Sequence, residues 1–117
     1  MRHHNNVRKF GRNKNQRNAL MKGLALSLIA HGKIETTEAK AKELRPLIEK
    51  LITKANLGTV ASRRIVISRL YNLTSEASKL IDEIAPKYKG RSGGYTRIVK
   101  LPRRQGDASK MALIEFI

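Results

Sequence analysis

Apolar residues recur at steps of three and four along the first part of the chain, which is the spacing of an α-helix. The first helix is expected over residues 15–31, with Asn15 as its cap and Gly32 allowing the left-handed turn that stops it. Its main apolar positions are Leu20, Leu24 and Leu28. The short segment 33–36 that follows is β-prone and is a candidate strand.

A second helix is expected after Thr37, which can cap it, with Glu38 placed favourably in the first turn. Its buried stripe is expected at Ala41, Leu44, Ile48, Leu51 and Ala55. Pro46 lies inside this pattern and removes one backbone hydrogen bond, so it is expected to kink the helix or to divide it near Arg45.

Two further helices are expected, at residues 59–71 and 74–85, with Pro86 as the end of the helical part. The first has residues at helical spacing, namely Val60, Arg64, Ile67 and Leu70. The second is expected to turn four residues inward, namely Ala77, Leu80, Ile81 and Ile84.

Beyond Pro86 the period changes to two, which predicts strands. Residues 95–101 alternate, and residues 111–117 form a second apolar strand. The connection 102–107 has the residue types of a turn, so the two strands are expected to form a hairpin with a basic tip. A hairpin alone is marginal, so its apolar face should pack on the helices, with 33–36 as a third strand.

Charge separates this helical middle from two basic zones. The 117 residues include 25 Lys and Arg against 9 Asp and Glu, giving a net charge of +16 and one very basic domain. No acid precedes Glu35, and residues 85–106 are a second stretch without acids. Because unpaired positive charge repels itself, this distribution predicts a polyanionic partner.

Several classes of protein are excluded because the sequence lacks the residues and motifs that they need. It has no cysteine, so disulfide scaffolds and cysteine zinc sites are ruled out. The histidines are His3, His4 and His31, and no base and nucleophile set, phosphate loop or metal motif accompanies them. The apolar run 20–30 is too short to cross a membrane. We therefore expect no catalysis, no cofactor, no metal, no small-molecule substrate and no membrane insertion.

The two basic zones differ in character. Residues 1–16 have few apolar groups and are expected to stay extended until they bind a polyanion. Residues 90–97 combine three glycines with Arg91 and Arg97, which can donate to phosphates. Tyr95 in this run either stacks on a base or packs in the core, and the sequence favours neither. Aromatic residues are few, so recognition of folded RNA by shape and backbone is favoured over reading of a single strand.

Several motifs in the same order resemble the bacterial ribosomal protein L17 family of the large subunit. They are Met1-Arg2-His3, the runs 27–37 and 39–45, Gly93-Gly94-Tyr95-Thr96-Arg97-Ile98, Arg103-Arg104, Gly106-Asp107-Ala108 and Met111-Ala112. The resemblance implies an α+β fold: a two-layer α/β domain with the order helix, strand, three helices, two strands, a small mixed sheet and a basic N-terminal extension.

The same resemblance implies a structural constituent of the large subunit in the cytoplasmic ribosome. Its partners would be the large-subunit rRNA and neighbouring ribosomal proteins near the exit of the peptide tunnel. We expect residues 1–14 to be the extension and 15–117 to be a single domain. The predicted rRNA-binding residues are Arg2, His3, Arg8, Lys9, Arg12, Lys14, Arg17, Lys22, Lys87, Lys89, Arg91, Tyr95, Arg97, Arg103 and Arg104.

Rival interpretations use the same charge. A DNA-compacting or regulatory protein would suit it, although no helix-turn-helix signature is found. A cationic membrane-surface protein would use the first helix, whose polar face carries too little charge. A mitochondrial or plastid member of the same family is a further alternative.

Overall fold

The computed structural model describes residues 13–70 and 72–117, and begins with the cap of the first helix. Helix α1 spans Lys14–His31 and is capped by Asn13, not by Asn15 as predicted. Asn13 Oδ1 accepts from the backbone N–H of Gln16 at 2.9 Å, and Gln16 Oε1 accepts from the N–H of Asn13 at 3.2 Å. This reciprocal pair satisfies two helix-end donors, which Asn15 cannot do because Asn18 stands three residues after it.

Gly32 ends α1 as predicted, with φ of 78° and its N–H donating to the carbonyl oxygen of Leu28 at 2.7 Å. Strand β1 follows at Lys33–Thr37. The Thr37 hydroxyl accepts from the N–H of Lys40 at 3.4 Å, so Thr37 caps α2 as the sequence predicted.

Helix α2 spans Glu38–Ala55 and supplies the centre of the core. All five predicted stripe residues are buried, together with Ile52. The helix runs through Pro46 without being divided. The bond that Pro46 cannot donate would have ended on the carbonyl of Lys42, and both residues are exposed, so water can replace the missing donor.

Helix α3 spans Val60–Arg69, and only part of the predicted set faces the core: Leu70 is buried and Ile67 is half-buried against it. Ser62, Val66 and Leu70 are buried, whereas Val60 is 69% exposed and Arg64 is also exposed. The Ser62 hydroxyl donates to the carbonyl oxygen of Thr59 at 2.9 Å, which allows a polar residue to be buried in the first turn.

The last helical segment is longer and less regular than predicted. Helix α4 at Thr74–Lys79 continues as a π-helical turn at Leu80–Ile84 and a 3-10 turn at Ala85–Tyr88. Pro86 therefore does not end the helical part. It lies inside the continuous helical run, at the change from the π-helical turn to the 3-10 turn, where the hydrogen-bond pattern itself changes.

Strands β2, Thr96–Leu101, and β3, Met111–Phe116, form the predicted hairpin, and β1 joins it in the order β1-β3-β2. Both pairings are antiparallel, so the sheet is not mixed. The long crossover from β1 to β2 makes these two strands parallel to each other, but β3 lies between them and separates them.

The helices cover one face of this sheet. Ala112 and Ile114 of β3 are fully buried and belong to one hydrophobic cluster with residues of all four helices. The two layers and the element order confirm the predicted α+β class.

One polar contact ties α2 to the sheet. The fully buried Thr96 donates to Glu49 Oε2 from its hydroxyl at 2.9 Å and from its N–H at 3.3 Å. Arg45 Nε lies 3.5 Å from the same oxygen. The Glu49 carboxylate is thus turned toward β2, which fixes the position where the basic loop enters the sheet.

Candidate nucleic-acid interface

Three predicted basic residues lie on the first half of α1. Lys14 is exposed, while Arg17 and Lys22 are half-buried and line a hollow between α1 and α2. The remaining predicted residues of the N-terminal segment lie outside the described residues: Arg2, His3, Arg8, Lys9 and Arg12.

The loop that precedes β2 takes its shape from glycine. Gly90, Gly93 and Gly94 have φ of 85°, 90° and 68°. Side chains with a Cβ rarely adopt this region, so the sequence needs glycine at these three positions. A Cβ added at Gly90 or Gly93 would meet open space, which leaves the loop surface uncovered.

Three cations are displayed around this loop. Lys87 lies on the 3-10 turn, Lys89 follows it, and Arg91 stands inside the loop; all three are exposed. None of them forms an ion pair with another residue of the described part of the chain. Their charge is therefore available to an external anion.

Tyr95 is in the core, which decides between the two interpretations of this residue. Its side chain is 2% exposed, and its ring centroid lies 5.3 Å from that of Tyr88. The hydroxyl donates to the carbonyl oxygen of Arg91 at 2.9 Å and lies 3.2 Å from the Thr53 hydroxyl. The buried ring is not available to stack on a base, contrary to the predicted rRNA contact of Tyr95; the residue instead holds the backbone of Arg91.

Arg97 forms an ion pair with Glu115. It lies on the sheet face away from the helices, and its Nε is 2.5 Å from Glu115 Oε1 across the β2–β3 pair. The guanidinium remains largely exposed. Its unused donors can still reach an anion, but its net attraction for one is weaker than that of Arg91.

The basic tip of the hairpin is held by Asp107. This carboxylate accepts from Arg104 Nε at 3.0 Å, from Arg104 Nη2 at 2.7 Å and from the N–H of Ser109 at 3.1 Å. Arg103 Nη1 donates to the carbonyl oxygen of Ala108 at 3.1 Å, and Ala108 has the left-handed φ of 56°. Both predicted arginines are therefore exposed but oriented by bonds within the loop.

We expect the tip to resist acid. Hydrogen bonds from Arg104 and from the Ser109 backbone hold the pKa of Asp107 well below its ordinary value. Because the pKa is lower in the folded state, the stabilisation is present above the unfolded pKa and is lost as the pH falls through the folded one. The Ser109 amide resonance should shift with a midpoint far below pH 3.8, the ordinary value. In Arg104→Ala the midpoint should return toward that value; a midpoint near 3.8 in the unaltered chain would contradict the bonding seen here.

Other basic residues of this face were missed by sequence reasoning. Lys50 and Arg69 line the hollow that Arg17 lines, and Lys54 lines the next hollow along α2. Lys50 and Lys54 lie at the end of α2, whose earlier turns carry acids, and Arg69 ends α3, which has none. Two signals were available: residues 50–75 contain no Asp or Glu, and the four-residue spacing of Pro46, Lys50 and Lys54 places them on one side of α2.

The family described as Ribosomal protein L17 matches residues 20–117 of this chain. The chain belongs to this family. It is 57% identical to the large ribosomal subunit protein bL17 of Persephonella marina, over 100% of this chain and 95% of that protein. It is 53% identical to the bL17 of Helicobacter hepaticus, with 100% of both chains covered, and 51% identical to that of Campylobacter jejuni, with 100% and 99% covered.

Membership of the L17 family settles the class of the protein. It is a structural protein of the large ribosomal subunit, located in the cytoplasmic ribosome, and not an enzyme. Within the described residues no helix is both long and apolar enough to span a bilayer. The L17 assignment displaces the DNA-compacting and membrane-surface interpretations of the same charge.

Proposed function

We propose that this L17 protein binds the large-subunit rRNA through two basic surfaces. One is the extension of residues 1–14 together with Arg17 and Lys22 of α1. The other is the loop surface, which we define as Lys87, Lys89, Arg91, Arg97, Arg103 and Arg104. The domain of residues 15–117 fixes where the two surfaces point.

The observation that carries this proposal is the set of three exposed, unpaired cations around the glycine loop. Lys87, Lys89 and Arg91 are all exposed, and the Tyr95 hydroxyl holds the backbone of Arg91 by donating to its carbonyl oxygen. Each phosphate that such a cation neutralises releases condensed counterions, which is the main sequence-independent source of affinity for nucleic acid. Fixing the loop before binding also reduces the entropy lost when it meets the RNA.

We further propose that the protein lies near the exit of the peptide tunnel and contacts neighbouring large-subunit proteins there. The support for this position is the family resemblance. The uncovered face of the sheet, which carries the half-buried Met111 and Leu113 and the exposed Val99, is a surface suited to a protein neighbour.

The loop surface is tested by removing two of its charges. We expect Lys89→Ala combined with Arg91→Ala to reduce incorporation into large subunits several-fold, because two phosphate contacts are lost. Both side chains are exposed, so the helix content measured by circular dichroism should not change. Incorporation is measured on sucrose gradients with the unaltered chain as a competitor.

The matched control is Lys33→Ala combined with Arg64→Ala. It removes the same two charges from exposed positions outside both surfaces. Equal incorporation of the loop variant and the control variant would contradict a role for the loop surface.

A further inference from the structure

A basic groove with an apolar floor lies between α1 and α2, on the side where α3 ends. Its cavity has a volume of about 370 Å³. The floor is apolar and consists of Met21, Pro46, Leu47 and Leu51. The polar rim is mostly basic and consists of Arg17, Lys22, Lys50 and Arg69, together with Asn18 and Glu43. A concave apolar surface with charged groups at its edge is the usual form of a site for a small planar group.

The groove continues along α2 to the glycine loop. A second hollow shares Pro46, Lys50 and Arg69 with the cavity and extends past Lys54 to Gly93. A third hollow shares Gly93 with the second and ends at Arg91. We call the three together the α2 groove; it joins the start of α1 to the loop surface.

The charges along the α2 groove are unequal. Its basic residues are Arg17, Lys22, Lys50, Lys54, Arg69 and Arg91, and its acidic residues are Glu43 and Glu49. Glu49 is bound to Thr96 and lies beside Arg45, so much of its charge is already compensated inside the protein. The groove therefore attracts a polyanion along its whole length.

We infer that the α2 groove holds a single-stranded segment of rRNA, with one unstacked base on the apolar floor between α1 and α2. This inference rests on the proposed rRNA-binding function and extends it to Lys50, Lys54 and Arg69, which lie outside the two surfaces. The phosphates on either side of that base lie against Lys50, Lys54 and Arg69. A stacked duplex has no free base to place in a cavity, whereas an unpaired loop can turn one out.

The floor and rim suit a base better than an acidic peptide. The floor offers a proline ring and aliphatic side chains to a flat ring face, and Arg17 and Arg69 provide planar guanidinium groups that stack on bases. An acidic peptide would use the rim and leave the floor uncovered.

The base is tested by a photoreactive methionine at Met21 in the assembled large subunit. Met21 is 9% exposed and lies on the floor, so a carbene formed there reacts with whatever occupies the cavity. We expect mass spectrometry to find a nucleotide attached to the peptide that contains Met21. Attachment to another protein of the subunit, with no nucleotide adduct, would overturn the inference.

The phosphates are tested by Lys50→Ala combined with Arg69→Ala, two exposed side chains. For purified rRNA the slope of log affinity against log salt should fall by about 1.4, because each single-strand phosphate contact contributes about 0.7. The control Lys33→Ala with Arg64→Ala should leave the slope as it is in the unaltered chain.

The same assay separates the two proposals. An unchanged slope for Lys50→Ala with Arg69→Ala, beside a reduced slope for Lys89→Ala with Arg91→Ala, overturns the α2 groove and leaves the rRNA-binding function standing. Unchanged slopes for both variants overturn the groove and the loop surface together.

Discussion

Tyr95→Ala is expected to lower the free energy of unfolding by about 3–5 kcal/mol, the usual loss when a large buried aromatic side chain is truncated. The ring is 2% exposed and packs beside Tyr88, so its removal leaves a cavity next to the sheet. The substitution also removes the hydrogen bond from the Tyr95 hydroxyl to the carbonyl oxygen of Arg91. The measurement is urea unfolding followed by circular dichroism.

Tyr95→Phe is the matched control, because it keeps the ring and removes only the hydroxyl. Its expected loss is about 1–2 kcal/mol, the net contribution of the hydrogen bonds to Arg91 and Thr53. If Tyr95→Ala lowered the free energy of unfolding no more than Tyr95→Phe does, the ring would not be part of the core. Stacking of the ring on a base would then again be the better interpretation.

The second large effect is on affinity. Raising the salt from about 50 mM to about 200 mM is expected to weaken binding to large-subunit rRNA by about 10³ to 10⁵, as for proteins with about six to ten phosphate contacts. The net charge of +16 and the exposed cations of the loop surface are the physical reason. Filter binding or fluorescence anisotropy over a salt series measures it.

Duplex DNA of equal length is the comparison in that salt series. Because the proposed partner is rRNA, we expect rRNA to bind more tightly than DNA at every salt concentration. A flat salt dependence would contradict counterion release as the source of affinity, and equal affinity for DNA would contradict recognition of RNA shape.

The sequence predicted the helix that has one clear apolar stripe. In α2 every expected inward residue is buried, because the apolar residues leave the other side of the helix to charged ones. The apolar residues of α3 leave no such polar side, since Val60, Ile65, Val66 and Ile67 lie around most of a ten-residue helix. Periodicity alone could not choose a face there, and the packing of α2 against α3 selected the one with Val66.

The cap of α1 depended on a pair of residues, whereas the single residue Thr37 correctly predicted the cap of α2. Asn13 and Asn15 are equal as cap residues, but only Asn13 has a glutamine three positions later. The pattern was present in the sequence, and reading it would have placed the start of α1 correctly.

The candidate site was predictable in its charges but not in its shape. Exposed Lys and Arg in stretches without acids pointed to Arg91, Arg103 and Arg104. The intramolecular partners that orient them, such as Asp107 for Arg104, and the burial of Tyr95 depend on the folded loop. Residues 50–75, which contain no acid, include Lys50, Lys54 and Arg69, but the groove that these residues line with Arg17 and Lys22 forms only when three helices pack.

The central position of β3 has a consequence for the order in which the protein can fold during synthesis. The two outer strands pair only with β3: Lys33 of β1 is opposite Glu115, and Thr96 of β2 is opposite Phe116. Neither pair can form before the end of the chain has been synthesised. Until the ribosome has made Phe116, β1 and β2 have no sheet partner, and the closing of the sheet must follow the emergence of this strand. A shortened chain that ends before Met111 would carry two unpaired strands, which invites aggregation, and would lack the framework that positions its cations.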